Sequence, residues 1–329
     1  MKNVLVTGGT GFIGSRLASL LLQHGCSVSI LRRASSDTSR LEGLDVRHCI
    51  GDVRDEETLR RHVRGHDTVF HTAAVISFWK PNHARMFDIN VNGTRAVVHA
   101  CRMEGVSRLM HTSSIAAIGH PAEAGGTADE RSTFNWNTRT NGYKESKRRA
   151  EEHVMKAVQD GELDAVIVNP GVVIGPGDTS FNGGKILKTA ARGLMLFYPE
   201  GGMNIVYVDD VARGMIAAVL QGRKGERYIL GGDNVSHRDA FTAAAELTGR
   251  RPPFIPVPTG AVKIAAALFD CWGIISRREP LITTELVSGA GLFNWYSSEK
   301  AQRDLGYTIT PYRDALRMTY EWYRSNRLL

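Results

Sequence analysis

Two side chains four residues apart, Tyr143 and Lys147, are the first candidates for chemistry in this 329-residue chain. On a helix that spacing sets both on one face, where an ammonium can lower a phenol's pKa and make it usable as an acid or base. The same spacing recurs at Tyr296 and Lys300, so spacing alone selects nothing. Context separates the pairs. The first opens a predicted helix after a strand that ends in Thr112-Ser113-Ser114, whereas the second lies in a late segment expected at the surface.

A second constellation stands at the start of the chain, where Val4-Leu5-Val6 runs into Thr7-Gly8-Gly9-Thr10-Gly11-Phe12-Ile13-Gly14 and then a helical pattern through Leu17, Leu20 and Leu21. A strand, a glycine turn and a helix start can hold a dinucleotide pyrophosphate on backbone N–H groups. Gly8 permits the tight turn, Gly11 lets phosphate approach the backbone, and Gly14 lets the helix pack close to the sheet. Thr10, Phe12 and Ile13 are the turn's other candidate cofactor contacts. The second strand ends in Arg32-Arg33, where an NAD-binding chain usually carries an acid for the ribose 2′-hydroxyl. An arginine there suits a 2′-phosphate, so NADP(H) is favoured over NAD(H). After the third strand, Asp52 is placed to accept from the adenine amino group, with Val53 beside it.

The elements that must position these groups follow from hydrophobic patterning. Strands are expected at 4–6, 27–31, 46–50, 68–71, 108–112 and 165–169, with helices at 13–24, 56–64, 82–104 and 142–158. This alternation predicts an α/β, Rossmann-type doubly wound parallel sheet covered on both faces. Beyond Pro170 glycines mark an excursion, and the run 205–208 with its following helix reads as a return to the sheet. The expected division is a dinucleotide-binding domain at 1–175 with 205–233, and a smaller, discontinuous substrate domain from 176–204 and 234–329. Prolines at 252, 253, 256 and 258 break regular helix there. The apolar stretch 261–275 carries Lys263 and Asp270 and is short for a bilayer span. It reads as a substrate-domain helix whose Ile264, Leu268, Phe269 and Trp272 help enclose substrate.

The net charge of +7 comes from Lys and Arg spread along the chain, which argues for attraction of phosphorylated ligands rather than nucleic acid. Four scattered cysteines suggest buried free thiols and a reducing cytoplasm, and no cluster has metal-ligand spacing. No signal peptide is expected before the first strand, nor any transmembrane segment. His71 and His111 read as packed strand histidines, and Asp209-Asp210 as a cap for the helix that follows.

Taken together, Thr7-Gly8-x-x-Gly11-x-x-Gly14, Gly51-Asp52-Val53, His71-Thr72-Ala73-Ala74, Asn90-Val91-Asn92-Gly93-Thr94, Thr112-Ser113-Ser114, Tyr143-x-x-x-Lys147, Asn169-Pro170-Gly171 and Tyr207-Val208-Asp209-Asp210-Val211-Ala212 resemble the extended short-chain dehydrogenase/reductase family. Gly175-Pro176-Gly177-Asp178 and Tyr228-Ile229-Leu230-Gly231-Gly232-Asp233-Asn234 bring the chain nearest to the dihydroflavonol-reductase-like branch and the bacterial hopanoid-associated sugar epimerase group. The resemblance implies that Tyr143 is the acid/base, Lys147 binds the nicotinamide ribose, and Ser114 orients the substrate oxygen, with Ser113 the alternative. It implies a proton-relay role for Asn90, a cofactor lining at Ala73, Pro170 and Val173, and a substrate border at 75–80. It also implies a homodimer through the two long helices.

Three functions follow as expectations: an NADP(H)-dependent carbonyl reductase, a sugar epimerase or dehydratase that retains its cofactor, and a dinucleotide-sensing regulator. The Tyr143 and Lys147 pair speaks against the regulator, and Arg32 and Arg33 favour the reductase. Ser77, Phe78, Trp79 and Lys80 fit a small-molecule substrate with apolar and polar parts.

Overall fold

The computed structural model describes every residue except Ala124, Asn182 and Leu194. Its strands are β1 (Asn3–Thr7), β2 (Ser27–Arg32), β3 (Val46–Ile50), β4 (Thr68–His71), β5 (Arg108–Thr112), β6 (Ala165–Pro170), β7 (Val172–Ile174), β8 (Phe197–Pro199), β9 (Gly202–Tyr207), β10 (Arg227–Leu230), β11 (Asp233–Ser236) and β12 (Ile255–Val257). Its helices are α1 (Phe12–Gln23), α2 (Glu56–Val63), α3 (His83–Phe87), α4 (Gly93–Met103), α5 (Gly142–Gln159), α6 (Lys185–Ala191), α7 (Val208–Gln221), α8 (His237–Leu247), α9 (Thr259–Ser276), α10 (Glu299–Leu305) and α11 (Tyr312–Ser325).

Seven strands form one parallel sheet in the order β3-β2-β1-β4-β5-β6-β10. Side chains alternate across a strand, so Val4 and Val6 of β1 enter one core while Leu5 enters the other. The first core is closed by Leu17 and Leu21 of α1, Val211 and Met215 of α7, and Leu305 of α10. The second is closed by Leu59 of α2, Val97 and Cys101 of α4, and Val154 of α5. Helices therefore cover both faces, as the apolar strands require. Arg16 of α1 holds Asp209 of α7 at 2.5 and 2.7 Å, fastening two helices of one face. The strand order reverses between β1 and β4, which opens the crevice where such sheets bind ligands.

Several expectations change here. β9 does not return to the large sheet: it pairs with β7 and β11 in a three-stranded sheet, and only α7 and β10 rejoin the main body. Asp209 and Asp210 lie in the first turn of α7 without capping it, because Arg16 takes one carboxylate and Arg213 and Thr310 take the other. Tyr296 is buried rather than at the surface, and Lys300 donates to Glu226 and to the Arg227 carbonyl. Cys271 is exposed, unlike the three buried thiols.

The expected long helix 82–104 is α3, a π-helical turn at Asp88–Asn92, and α4 in succession. A smaller core gathers Leu187 of α6, Ile205 of β9, Ala243 of α8, and Leu316 and Tyr323 of α11. Helix α9 lies outside these cores. It is long and apolar enough, by length and composition, to cross a membrane, which corrects the expectation of too short a run, yet only Ala266 and Gly273 are buried.

Candidate active site

The glycine turn shows why side chains are excluded from it. Gly8 has φ +73°, and a Cβ there would meet the backbone of Ala73 at 2.6 Å; one at Gly14 would lie 2.3 Å from the Gly8 carbonyl oxygen. Helix α1 starts at Phe12 with no side chain capping its first turn, so its leading N–H groups are open to an anion. A dinucleotide pyrophosphate fits this cradle, in which glycine hydrogens stand where methyl groups would fill the space.

Beyond the turn, Thr7 Oγ1 and His71 Nδ1 lie 2.7 Å apart, and His71 Nε2 reaches Thr94 Oγ1 at 3.0 Å. Burial, with the nearby Lys147 charge, lowers His71 to about 3, and the neighbouring His111 is likewise held neutral. Both are packed beneath the strand ends, as expected for core histidines.

The strand end at β5 divides its two serines. Ser113 is buried with its Oγ unpartnered. Ser114 turns the other way: its Oγ accepts the Ala116 N–H at 3.1 Å, and its hydroxyl lies against the Tyr143 phenol. Asn169 steadies it by donating to the Ser114 carbonyl at 2.9 Å and to Glu151 at 2.6 Å. Burial raises the Tyr143 pKa, and Ser114 draws it back. The Lys147 ammonium points to the Thr112 carbonyl at 2.8 Å, and burial lowers it to about 8. The causes acting on the phenol are burial, which dominates, and Ser114, which opposes it.

Asn90 sits in the π turn and uses its carboxamide on both backbone groups of Val75, at 2.8 and 2.9 Å, and on Ser146 Oγ at 3.0 Å. It clamps the loop after β4 to α5. That loop carries Phe78, whose ring meets Tyr143 edge-on at 5.4 Å.

Arg32 stands at the end of β2 with Nε 3.0 Å from His48 Nδ1, and Arg33 beside it is exposed. Asp52 is chelated by Arg54 at 2.8 and 3.0 Å, which holds its carboxyl below the ordinary range. Val53 packs under Gly93, Pro170 closes β6, and Val173 lies in β7.

Several residues here were not singled out from sequence. Arg40 ties the Thr10 carbonyl to the Gly177 carbonyl at 3.3 and 3.0 Å and also meets Thr179. Glu285 accepts the Tyr143 N–H at 2.8 Å and pairs with His83 at 2.8 Å, so a late segment caps the start of α5. Glu279 meets Ser77 and Asn82 at 3.4 and 3.1 Å. Lys144 lies 3.1 Å over the Trp136 ring, lowered by burial to about 7. Separations of up to 202 residues leave no local signal for such pairs. The outward side chains of α9 are a further correction: Ile264, Leu268, Phe269 and Trp272 are exposed, and the segment after the helix walls the site.

A family model described as the NAD dependent epimerase/dehydratase family matches residues 4–231. A protein of Synechocystis sp., provisionally named as a dihydroflavonol 4-reductase, is 33% identical over 98% of this chain and 94% of its own. The sterol demethylase protein B of Methylococcus capsulatus is 31% identical, with 99% of each chain covered. Among solved structures, that of gox2253 superposes with a TM-score of 0.88 at 34% identity over 100% of both chains.

Proposed function

The chain belongs to the NAD dependent epimerase/dehydratase family of extended short-chain dehydrogenases/reductases, and on that premise we propose an NADP(H)-dependent enzyme that reduces a carbonyl or oxidises a secondary alcohol. The observation that carries this reading is the Tyr143 phenol with the Ser114 hydroxyl against it.

When bound, the nicotinamide supplies or accepts the hydride. The open N-terminus of α1 takes the pyrophosphate, Arg32 and Arg33 take the 2′-phosphate, and Asp52, Val53, Ala73, Pro170 and Val173 line the remainder. Ser114 donates to the substrate oxygen and so stabilises charge developing there. Tyr143 delivers the proton to that oxygen in reduction and removes it in oxidation. Lys147 binds the nicotinamide ribose and keeps a positive charge behind the phenol. Asn90 and Glu285 position the loop and helix that carry these groups. Relatives named for a dihydroflavonol and a sterol support a ring-bearing carbonyl compound as substrate. A cytoplasmic homodimer joined through α4 and α5 completes the reading.

The Arg40 tie between Thr10 and Gly177 favours a second reading, epimerisation or dehydration with the cofactor retained. Analysing the nucleotide that copurifies, followed by titration with NADPH and NADH, separates the two. An empty site that binds NADPH more tightly supports the reductase, and firmly held NAD supports the epimerase.

A further inference from the structure

Among the described residues, α9 is the one long helix whose apolar side chains face outward. Around its axis the exposed side is an unbroken run of Ile274, Ala267, Gly260, Cys271, Ile264, Ile275, Leu268, Ala261 and Trp272. Leu268 is 68% exposed, Trp272 66% and Ile275 74%. The two charged residues of the helix lie off this face. Asp270 is turned back to Thr284, accepting from its N–H at 2.9 Å and its hydroxyl at 2.6 Å, and Lys263 stands on the flank. The connection after the helix adds Leu281, 74% exposed, and the residue just before β12 adds Phe254, 67% exposed. Apolar surface of this extent calls for a covering partner.

The charges around the helix indicate which partner. Lys263, Arg277 and Arg278 are exposed, and among the described residues none of them makes an ion pair; Lys185 lies against the Leu281 carbonyl at 2.8 Å. A second copy docking by a two-fold axis would bring these unpaired cations together, whereas an anionic lipid surface complements them. Both ends of α9 are held by the same body. β12, just before the helix, pairs with β8, and Glu279 and Glu285 beyond it bind Ser77, Asn82, His83 and the Tyr143 N–H. A membrane-spanning helix would leave its ends on opposite sides of the bilayer, so this one must lie in the plane.

We propose that α9 is an in-plane membrane-docking helix. Its Ile264, Leu268, Trp272 and Ile275 enter the acyl boundary of an anionic bilayer, and Lys263, Arg277 and Arg278 bind lipid phosphates. Docking brings the segment that walls Tyr143 to the membrane surface, through the link from Asp270 to Thr284 and on to Glu285. The substrate class that follows is a carbonyl compound dissolved in the bilayer; this part rests on the hydride-transfer reading, and docking does not.

The test reads binding rather than turnover, so its failure is distinct from failure of that reading. The full chain is sedimented with phosphatidylcholine vesicles, with and without phosphatidylglycerol. It should pellet with the anionic vesicles and remain largely in the supernatant with the neutral ones. Leu268→Glu with Trp272→Glu should lower partitioning roughly a hundredfold or more. Arg277→Glu with Arg278→Glu should lower it roughly tenfold or more. Brominated lipids should quench the unmutated chain, and Trp272→Phe should lose that quenching, a readout that needs no charged variant to fold. The proposal is overturned by a chain that stays in the supernatant with anionic vesicles, by quenching that persists in Trp272→Phe, or by a lipid-free dimer that Leu268→Glu dissociates.

Discussion

Replacing Lys147 with methionine separates what its ammonium costs the fold from what it does for the site. Burial lowers this ammonium from 10.5 to about 8 in the folded chain, against the opposing pull of Glu151. At 1.36 kcal/mol per pKa unit, that corresponds to about 3 kcal/mol set against folding while the charge is buried. Below pH 8 the side chain is protonated in both states and the penalty stands in full. Between pH 8 and 10.5 the unfolded chain binds the extra proton, so this contribution makes stability rise with pH; above that window the penalty is gone. Methionine has no such term. The stability of the parent relative to Lys147→Met should therefore improve by about 3 kcal/mol across the window. The lost hydrogen bond to the Thr112 carbonyl offsets the whole comparison by roughly 1.5–3 kcal/mol without changing its slope. Paired urea melts from neutral pH to pH 10.5 measure the difference, and a difference that stays flat refutes Lys147 as a buried cation. The variant should also lose cofactor affinity and turnover, and the parent's cofactor affinity should fall as pH passes about 8.

Tyr143→Phe removes only a hydroxyl, so cofactor affinity should survive while turnover falls roughly 10²–10⁴-fold; Tyr296→Phe, with the same spacing but a separate buried setting, should leave steady-state rates near the parent's, and full activity in Tyr143→Phe would remove the acid/base assignment. Arg32→Ala should narrow the preference for NADPH over NADH by roughly 1–3 kcal/mol in fluorescence titrations; equal affinities in the parent would defeat the 2′-phosphate assignment. Glu285→Ala should lower kcat by up to roughly a hundredfold with little change in cofactor Kd, because it releases the start of α5. Glu285→Gln should recover part of that loss, since its amide oxygen still accepts from the Tyr143 N–H. Parent-like kcat in both would show that Glu285 does not position the phenol.

Local pattern carried much of the reading that holds. β3, β4 and β5 coincide with the apolar runs that predicted them, and the glycine turn lies between β1 and α1, where its spacing placed it. These features depend on contacts within a few residues: alternation along a strand, a helix repeat, a turn that tolerates no Cβ. The choice between Ser113 and Ser114 was not legible, because adjacent residues of an extended chain face opposite ways and only the packing of α5 decides which side holds the phenol. Tyr296 was misplaced for the same reason. Its segment, Leu292-Phe293-Asn294-Trp295-Tyr296, forms no named strand or helix, and its burial comes from the distant Ala128 and Asn234.

What the sequence determined by itself was therefore the dinucleotide half: a parallel doubly wound sheet, a phosphate cradle at its first turn, and a tyrosine and lysine on one face of a helix. Only the tertiary structure decided how the site is closed. Glu285 reaching Tyr143, Arg40 joining Thr10 to Gly177, and the source of the phenol's tuning all come from chain segments that meet across the crevice. The outward face of α9 belongs with them. A helical repeat of large apolar residues reads the same whether a core or solvent lies beside it, and only the positions of the other elements show that none of the described residues covers the outward face of this one.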